Sequence, residues 1–284
     1  MYKREIKALL VMTLVLFNSA CSVKFAYNNM DRFVRWQVND YLDLNTAQRA
    51  YFKEELAALI VWHRRDHLPL YADYFEGLAL QYSDGVSEAQ IQALFEQFMV
   101  WGLEIEDRAM PMTIHLLKSL SDEQVASLPV QLERSNLELM EDEMGVSLEE
   151  AQTQWAEDIE QVMTRFTGRL DRRQKAYISF KATAYQPERA LWAEYRRRWQ
   201  ADMMRLLEAR HDVDFGPKFH DLAKSREAYY GPEYTTMNNE NIALSREVSA
   251  YLLSNLNERQ SRRLTESIEE LARDFSDLAT QGAD

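Results

Sequence analysis

A chain of 284 residues with 46 acidic and 33 basic side chains carries a formal charge of −13. Nucleic acid and anionic lipid headgroups are thereby poor general partners, because most of the surface would repel them. An apolar fraction of 46% excludes global disorder, and the length suits one large domain or two small ones.

The N-terminus predicts an address. Lys3, Arg4 and Lys7 precede the apolar run ALLVMTLVLF at 8–17. Ten residues are too few to span a bilayer, which takes about 20, but they suit the apolar segment of a secretory signal peptide. The run ends in NSAC, so the only cysteine, Cys21, follows the small residue Ala20. This arrangement resembles the lipobox of bacterial lipoproteins, in which the cysteine is acylated and becomes the first residue; Asn18 stands where an aliphatic residue is usual. A plain secretory signal cleaved near Ala20 would instead leave a free thiol, and a lone exported cysteine has no internal disulfide partner. We expect residues 1–20 to be a signal peptide, Cys21 to be lipidated, and 21–284 to form a single helical domain. Three acyl chains suffice for stable anchoring, and Ser22 after the cysteine implies the outer membrane, with the body facing the periplasm. Loss of residues 1–20 removes three bases and one acid, taking −13 to −15.

Beyond residue 21, glycine and proline are scarce and alternating β-branched runs are absent, so the expected fold is all-α: an elongated antiparallel bundle of about nine helices. The first long helix follows LNTAQRAYF (44–52), with Phe52, Leu56, Leu59, Ile60, His63 and His67 on one stripe. HRRDH (63–67) sets two histidines at i and i+4, which could share a metal if a third ligand arrived from elsewhere. That possibility underlies an alternative reading, a periplasmic metal-dependent enzyme. Glu does not follow the first histidine, so this is not the zinc-protease motif. A hydrogen-bonded pair in a helix seam uses the same spacing. His211 with Asp212 and Asp214, and His220 with Asp221, form similar clusters.

Next come VSEAQIQAL (86–94) with a stripe to Leu116, LSDEQVASL (120–128), LDRRQKAYI (170–178) and LNERQSRRL (256–264). With 44–52, these five stretches share one pattern. Asn45, Ser87, Ser121, Asp171 and Asn257 are helix-capping types. Gln48, Gln90, Gln124, Gln174 and Gln260, three residues on, can bond back to the cap's own amide. Five helix starts are therefore predicted from one local device, each worth about 1 kcal/mol. The spacing is too irregular for a solenoid. Position 171 could alternatively lie within one helix from 148 to 182, and a further start falls near HDVDFGPKF (211–219). Pro69, Pro111, Pro187, Pro217 and Pro232 mark breaks or kinks. At the C-terminus Leu264, Ile268, Leu271, Phe275 and Leu278 form a packing seam.

Charge is uneven along the chain. Residues 135–164 hold nine acids and no Lys or Arg, whereas 165–198 hold ten bases against three acids. Two solvated faces neutralising one another across a hairpin would explain this. A basic groove for an acidic partner would also explain it, with Arg169, Arg172, Arg196 and Arg197 as binding residues beside Tyr195 and Trp199. Tryptophans 36, 62, 101, 155, 192 and 199 are expected in the core or between helices; an exposed aromatic patch would mark a binding surface. No Gly-rich phosphate loop or nucleophile elbow is present, so we expect neither catalytic residues nor a cofactor.

CSVKFAYNNMDRFVRWQVNDYLDLNTAQ, continued by WHRRDHLPLYADYF, resembles an uncharacterised Gram-negative lipoprotein family built on a domain of unknown function. The resemblance implies a lipid-anchored helical envelope protein and supplies no activity. The glutamine motif is also similar to the Leu-Thr-x-x-Gln repeat of Spy-type periplasmic chaperones, which bind unfolded clients on a basic concave face. Here Asn, Ser or Asp replaces the threonine, the chain is about twice as long, and only residues 165–198 are basic. Together these readings imply a non-enzymatic, outer-membrane-anchored protein that binds an envelope protein partner or an unfolded client, and no nucleic acid.

Overall fold

The structure is a computed structural model that describes residues 21–82, 86–141 and 145–281. The expected leader at 1–20 lies outside the described residues, as do Asp142 and Glu143 of the acidic run. Helices in chain order are α1 (Cys21–Asn28), α2 (Met30–Leu42), α3 (Thr46–Trp62), α4 (Leu68–Gln81), α5 (Glu88–Lys118) and α6 (Asp122–Glu141). They continue as α7 (Leu148–Thr167), α8 (Arg172–Ala182), α9 (Arg189–Glu208), α10 (Phe215–Lys224), α11 (Pro232–Ser254) and α12 (Glu258–Thr280). No strand is present among the described residues. The all-α class is as the periodicity predicts. The described residues form twelve α-helices against about nine expected; Asn29 separates α1 from α2, and the short α10 runs through Gly216–Pro217, where a turn is expected.

All five predicted capping boxes form. In each, the cap side chain accepts the amide of the glutamine, and the glutamine carbonyl oxygen accepts the cap's amide. A sixth box, Ser147 with Glu150, starts α7; its partner three residues after the cap is glutamate rather than glutamine. The single helix from 148 to 182 does not form. Gly168, at φ 77°, supplies the left-handed residue that ends α7, and Asp171 starts α8 three residues later. α10 begins near the expected place but has no side-chain cap. Pro111 neither breaks nor ends α5, which runs through it to Lys118; Pro69 and Pro232 sit at helix starts, where a missing amide costs least.

Four of the boxes are joined in pairs. Gln48 Nε2 donates to Ser119 O (2.7 Å) and to Gln124 Oε1 (3.1 Å), while Gln124 Nε2 reaches Asp43 O (2.9 Å) and Gln48 Oε1 (2.9 Å). The same bonds recur in the second half. Gln174 Nε2 meets Asn255 O (3.1 Å) and Gln260 Oε1 (3.2 Å); Gln260 Nε2 meets Arg169 O (3.0 Å) and Gln174 Oε1 (2.9 Å). In each pair the two glutamines grip the carbonyl two residues ahead of the partner's cap, so two helix starts are locked side by side. We refer to this as an amide clasp. Gln48, Gln174 and Gln260 are buried, which makes each amide bond one that water cannot replace.

The helices around the clasps correspond as well. α2 pairs with α3 and packs on α6; α7 pairs with α8 and packs on α12. The halves then interlock, since α4 of the first lies along α12 of the second and α9 of the second lies along α6 of the first. The α12 seam predicted from spacing closes this interlock. Leu264, Ile268 and Leu278 are buried, and Leu271 and Phe275 pack beside them against Phe75, Leu78 and Tyr71. Burying a leucine or isoleucine contributes about 2 kcal/mol, so this seam outweighs any single cap.

Candidate functional site

The second clasp opens onto a cleft of about 1090 Å³. α7 ends at Thr167, turns at Gly168 and presents Arg169; buried Leu170 then anchors the loop, and Asp171 starts α8. From the other side, α11 ends at Ser254 and Asn257 starts α12. Both helices thus begin at the cleft, directing the positive ends of their dipoles into it. Its lining includes Arg169, Arg172, Lys175, Arg259, Arg262 and Arg263, against Asp171 and Glu266.

Those charges are not equally available. Asp171 accepts the amides of Arg173 and Gln174 at 2.7 and 2.9 Å. Lys175 bonds Glu160 across the α7–α8 hairpin, and Arg263 lies 3.8 Å from Glu266. Among the described residues, the side chains of Arg169, Arg172, Arg259 and Arg262 make no hydrogen bond or ion pair, and all four are exposed. A guanidinium offers a rigid fork of donors that fits carboxylate or phosphate bidentately. Four such forks stand beside two helix starts, an arrangement whose electrostatics favour anionic groups. The screening length is about 8 Å at physiological salt, so the distant excess of acid does not cancel this local field.

The four arginines singled out from sequence therefore separate. Arg169 and Arg172 line the cleft. Arg196 and Arg197 lie on α9 against α6, where Arg197 pairs with Glu133 (2.9 Å), and Arg196 contacts Ser135 (3.3 Å) and covers the Trp192 ring. Arg259 and Arg262 were missed, although LNERQSRRL surrounds its glutamine with bases as LDRRQKAYI does; comparing the two motifs as a pair would have exposed them. Lys175 with Glu160 is a pairing across the acidic–basic hairpin, whereas Glu133, the partner of Arg197, lies outside the acidic run.

His63 and His67 sit on a π-helical turn, His63–His67, between α3 and α4. Such turns often mark functional sites, but here both rings face tyrosines. Tyr27 Oη lies 2.8 Å from His63 Nδ1; Tyr71 Oη lies 3.2 Å from His63 Nε2 and 3.3 Å from His67 Nδ1. Glu104 is 3.6 Å from His67 Nε2. Burial holds the His63 pKa down at about 4, with nearby His67 and Arg64 adding to the effect, and burial pushes Tyr27 and Tyr71 upward. Arg64 bonds Asn28 Oδ1 (2.6 Å) and the carbonyls of Leu278 (3.1 Å) and Gln281 (2.6 Å). HRRDH thus fastens α1 and the end of α12 to the body. Among the described residues, no three His, Cys, Asp or Glu side chains form a metal-holding group. His220 lies 3.7 Å from Asp221 on the surface of α10.

With this geometry in place, comparison with known proteins decides the family. A family model, described as a family of unknown function (DUF6279), matches residues 40–235. The chain belongs to that family. The DUF6279 match takes in the whole first clasp together with Arg169 and Arg172, and stops before Arg259 and Arg262; Cys21 also lies outside it. No curated protein and no solved structure matches the chain.

Proposed function

We propose that this chain is a lipid-anchored protein of the outer membrane, held through acylated Cys21, whose periplasmic body is non-enzymatic and receives an acidic segment of a protein partner in the arginine cleft. The observation that carries the binding role is the set of four exposed guanidiniums, Arg169, Arg172, Arg259 and Arg262, gathered around paired helix starts on a chain of charge −13. A short acidic segment matches the cleft. A long polyanion would overrun it onto the acidic remainder of the surface. The anchor is supported by the basic residues, the ten-residue apolar run and the Ala20–Cys21 junction.

The test is cross-linking in intact cells followed by identification of neighbours, with wild type and an Arg172→Glu/Arg262→Glu variant. The expected result is loss of a specific neighbour in the variant. Identical neighbours in both would reject the cleft as the binding surface. Cys21→Ala is expected to release the protein from membranes; its retention would require a different anchor.

A second reading, chaperone-like binding of unfolded clients, is favoured by Phe95, Met99 and Leu103. These are exposed at i, i+4 and i+8 on α5 and form an apolar strip. Light scattering from an unfolding client distinguishes the two: suppression that is lost in Phe95→Ser/Leu103→Ser supports the client role, and unchanged aggregation rejects it.

A further inference from the structure

Helices α1 and α2 carry an aromatic strip that the body does not use. Their inner face is occupied: Val23 and Tyr27 pack near Leu68 and Leu278, Val34, Val38 and Leu42 pack on the first core cluster, and Lys24 pairs with Asp274 (3.0 Å) and Asp277 (2.6 Å). On the outer face Phe25 is 67%, Phe33 42% and Trp36 61% exposed, and Arg32 stands among them. Of the six tryptophans, Trp36 is the exposed one; Trp101, Trp192 and Trp199 are buried, and Trp62 and Trp155 are half-buried. Helical bonds from Asn29 N to Phe25 O (3.1 Å) and from Phe33 N to Asn29 O (3.2 Å) carry α1 into α2. The strip is therefore continuous. At about 100° per residue, Phe25 and Trp36 fall within about 20° of one direction, and the Phe33 and Trp36 rings lie 5.9 Å apart.

We propose that this strip lies flat on the bilayer surface, with Phe25, Phe33 and Trp36 in the interfacial layer. The inference rests on the anchored reading in one respect: Cys21 delivers the strip to the membrane. In that reading the acyl chains hold position 21 at the membrane; cleavage to a free thiol would not. From Cys21 to Trp36 is about 22 Å of helix. Standing upright, the pair would lift Trp36 that far out of the interface and leave its ring in water. Lying down, it brings Phe25 and Trp36 to one depth, with Phe33 about 60° round the helix from Trp36. Aromatic side chains with a flanking arginine are what interfacial segments carry, and no described helix is long and apolar enough to cross a membrane. Because the chain as a whole is anionic, rings rather than charge make the contact, so it persists as salt is raised.

Full-length lipidated protein and its Trp36→Phe variant, both reconstituted in phosphatidylethanolamine–phosphatidylglycerol vesicles, isolate the Trp36 emission by difference. That emission is expected to shift to the blue and to be quenched by brominated lipid at both low and high salt. A difference spectrum with solvent-exposed emission and no quenching overturns the proposal. So does a blue shift that appears without vesicles and grows with protein concentration, which would mean self-association. Cys21→Ala added to the same vesicles at high lipid concentration separates the two readings. A shift in this variant, with wild type and variant distributing alike in cells, means the anchor reading fails and the surface stands. No shift and no quenching in either protein means the surface fails, whatever holds residue 21.

Discussion

The two amide clasps share a frame and differ in charge. Around the first stand Asp43, in the loop before α3, and Asp122, the first residue of α6, and an arginine turned inward, Arg210, donates to Leu120 O (2.8 Å) and Leu207 O (3.2 Å) while pairing with Asp122. Arg210 is buried. Around the second, the arginines face solvent and surround an open cleft. The hydrogen bonds that hold both pairs of helix starts are the same, so the clasp itself does not dictate function. What surrounds it differs: one clasp is a sealed joint around Arg210, and the other opens onto the arginine cleft proposed to receive anions.

Three predictions press on that comparison. If the clasps are structurally equivalent, Gln48→Leu and Gln174→Leu should each cost about 3 kcal/mol, because each removes a cap bond and strands a buried carbonyl and amide. Urea denaturation of both variants checks this, and a Gln174/Gln260 double-mutant cycle should show coupling. A large cost at one clasp only would make the resemblance geometric without being energetic. The arginines should then divide by role. Arg210→Ala should lose about 2 kcal/mol through its two orphaned carbonyls, whereas Arg172→Ala, exposed and unpaired, should stay within about 0.5 kcal/mol while weakening partner capture. Equal melting temperatures for the two would contradict the contrast.

A pH-dependent effect lies at the fastening beside the first half. His63 is held neutral in the fold, with its pKa down at about 4 against an ordinary 6.5. Between those values the unfolded chain binds the extra proton, so stability is complete above about pH 6.5 and falls as pH drops toward 4. The slope is at most about 1.4 kcal/mol per pH unit. Stability measured from pH 7 to 4.5 should show this slope in wild type and a flatter one in His63→Gln. Identical slopes would assign the loss to carboxylates elsewhere.

Several of these features were legible in the sequence and others were not. The capping boxes at Asn45, Ser87, Ser121, Asp171 and Asn257 could be read because a box closes within four residues. Ser147 with Glu150 departs from the shared pattern twice, with glutamate in place of glutamine and Gln154 in place of the apolar residue four further on. The seam on α12 was legible from steps of three and four. The outward stance of Trp36 and Phe95 was not, because periodicity marks a face without saying whether another helix arrives to cover it. Arg196 and Arg197 resemble Arg169 and Arg172 in composition, and only the approach of α6, bringing Glu133, sets them apart.

By itself, the sequence determined the all-α class, the five glutamine-boxed helix starts, and the packing seam of the last helix, since those follow from bonds and spacings a few residues long. The tertiary structure alone decided that Gln48 meets Gln124 and Gln174 meets Gln260, across separations of 76 and 86 residues. It also decided that one loop pair closes around Arg210 while the other leaves its arginines in water. A glutamine amide has one oxygen and two hydrogens to place. The oxygen finds its partner within its own turn, and the hydrogens find theirs only once the chain has folded back.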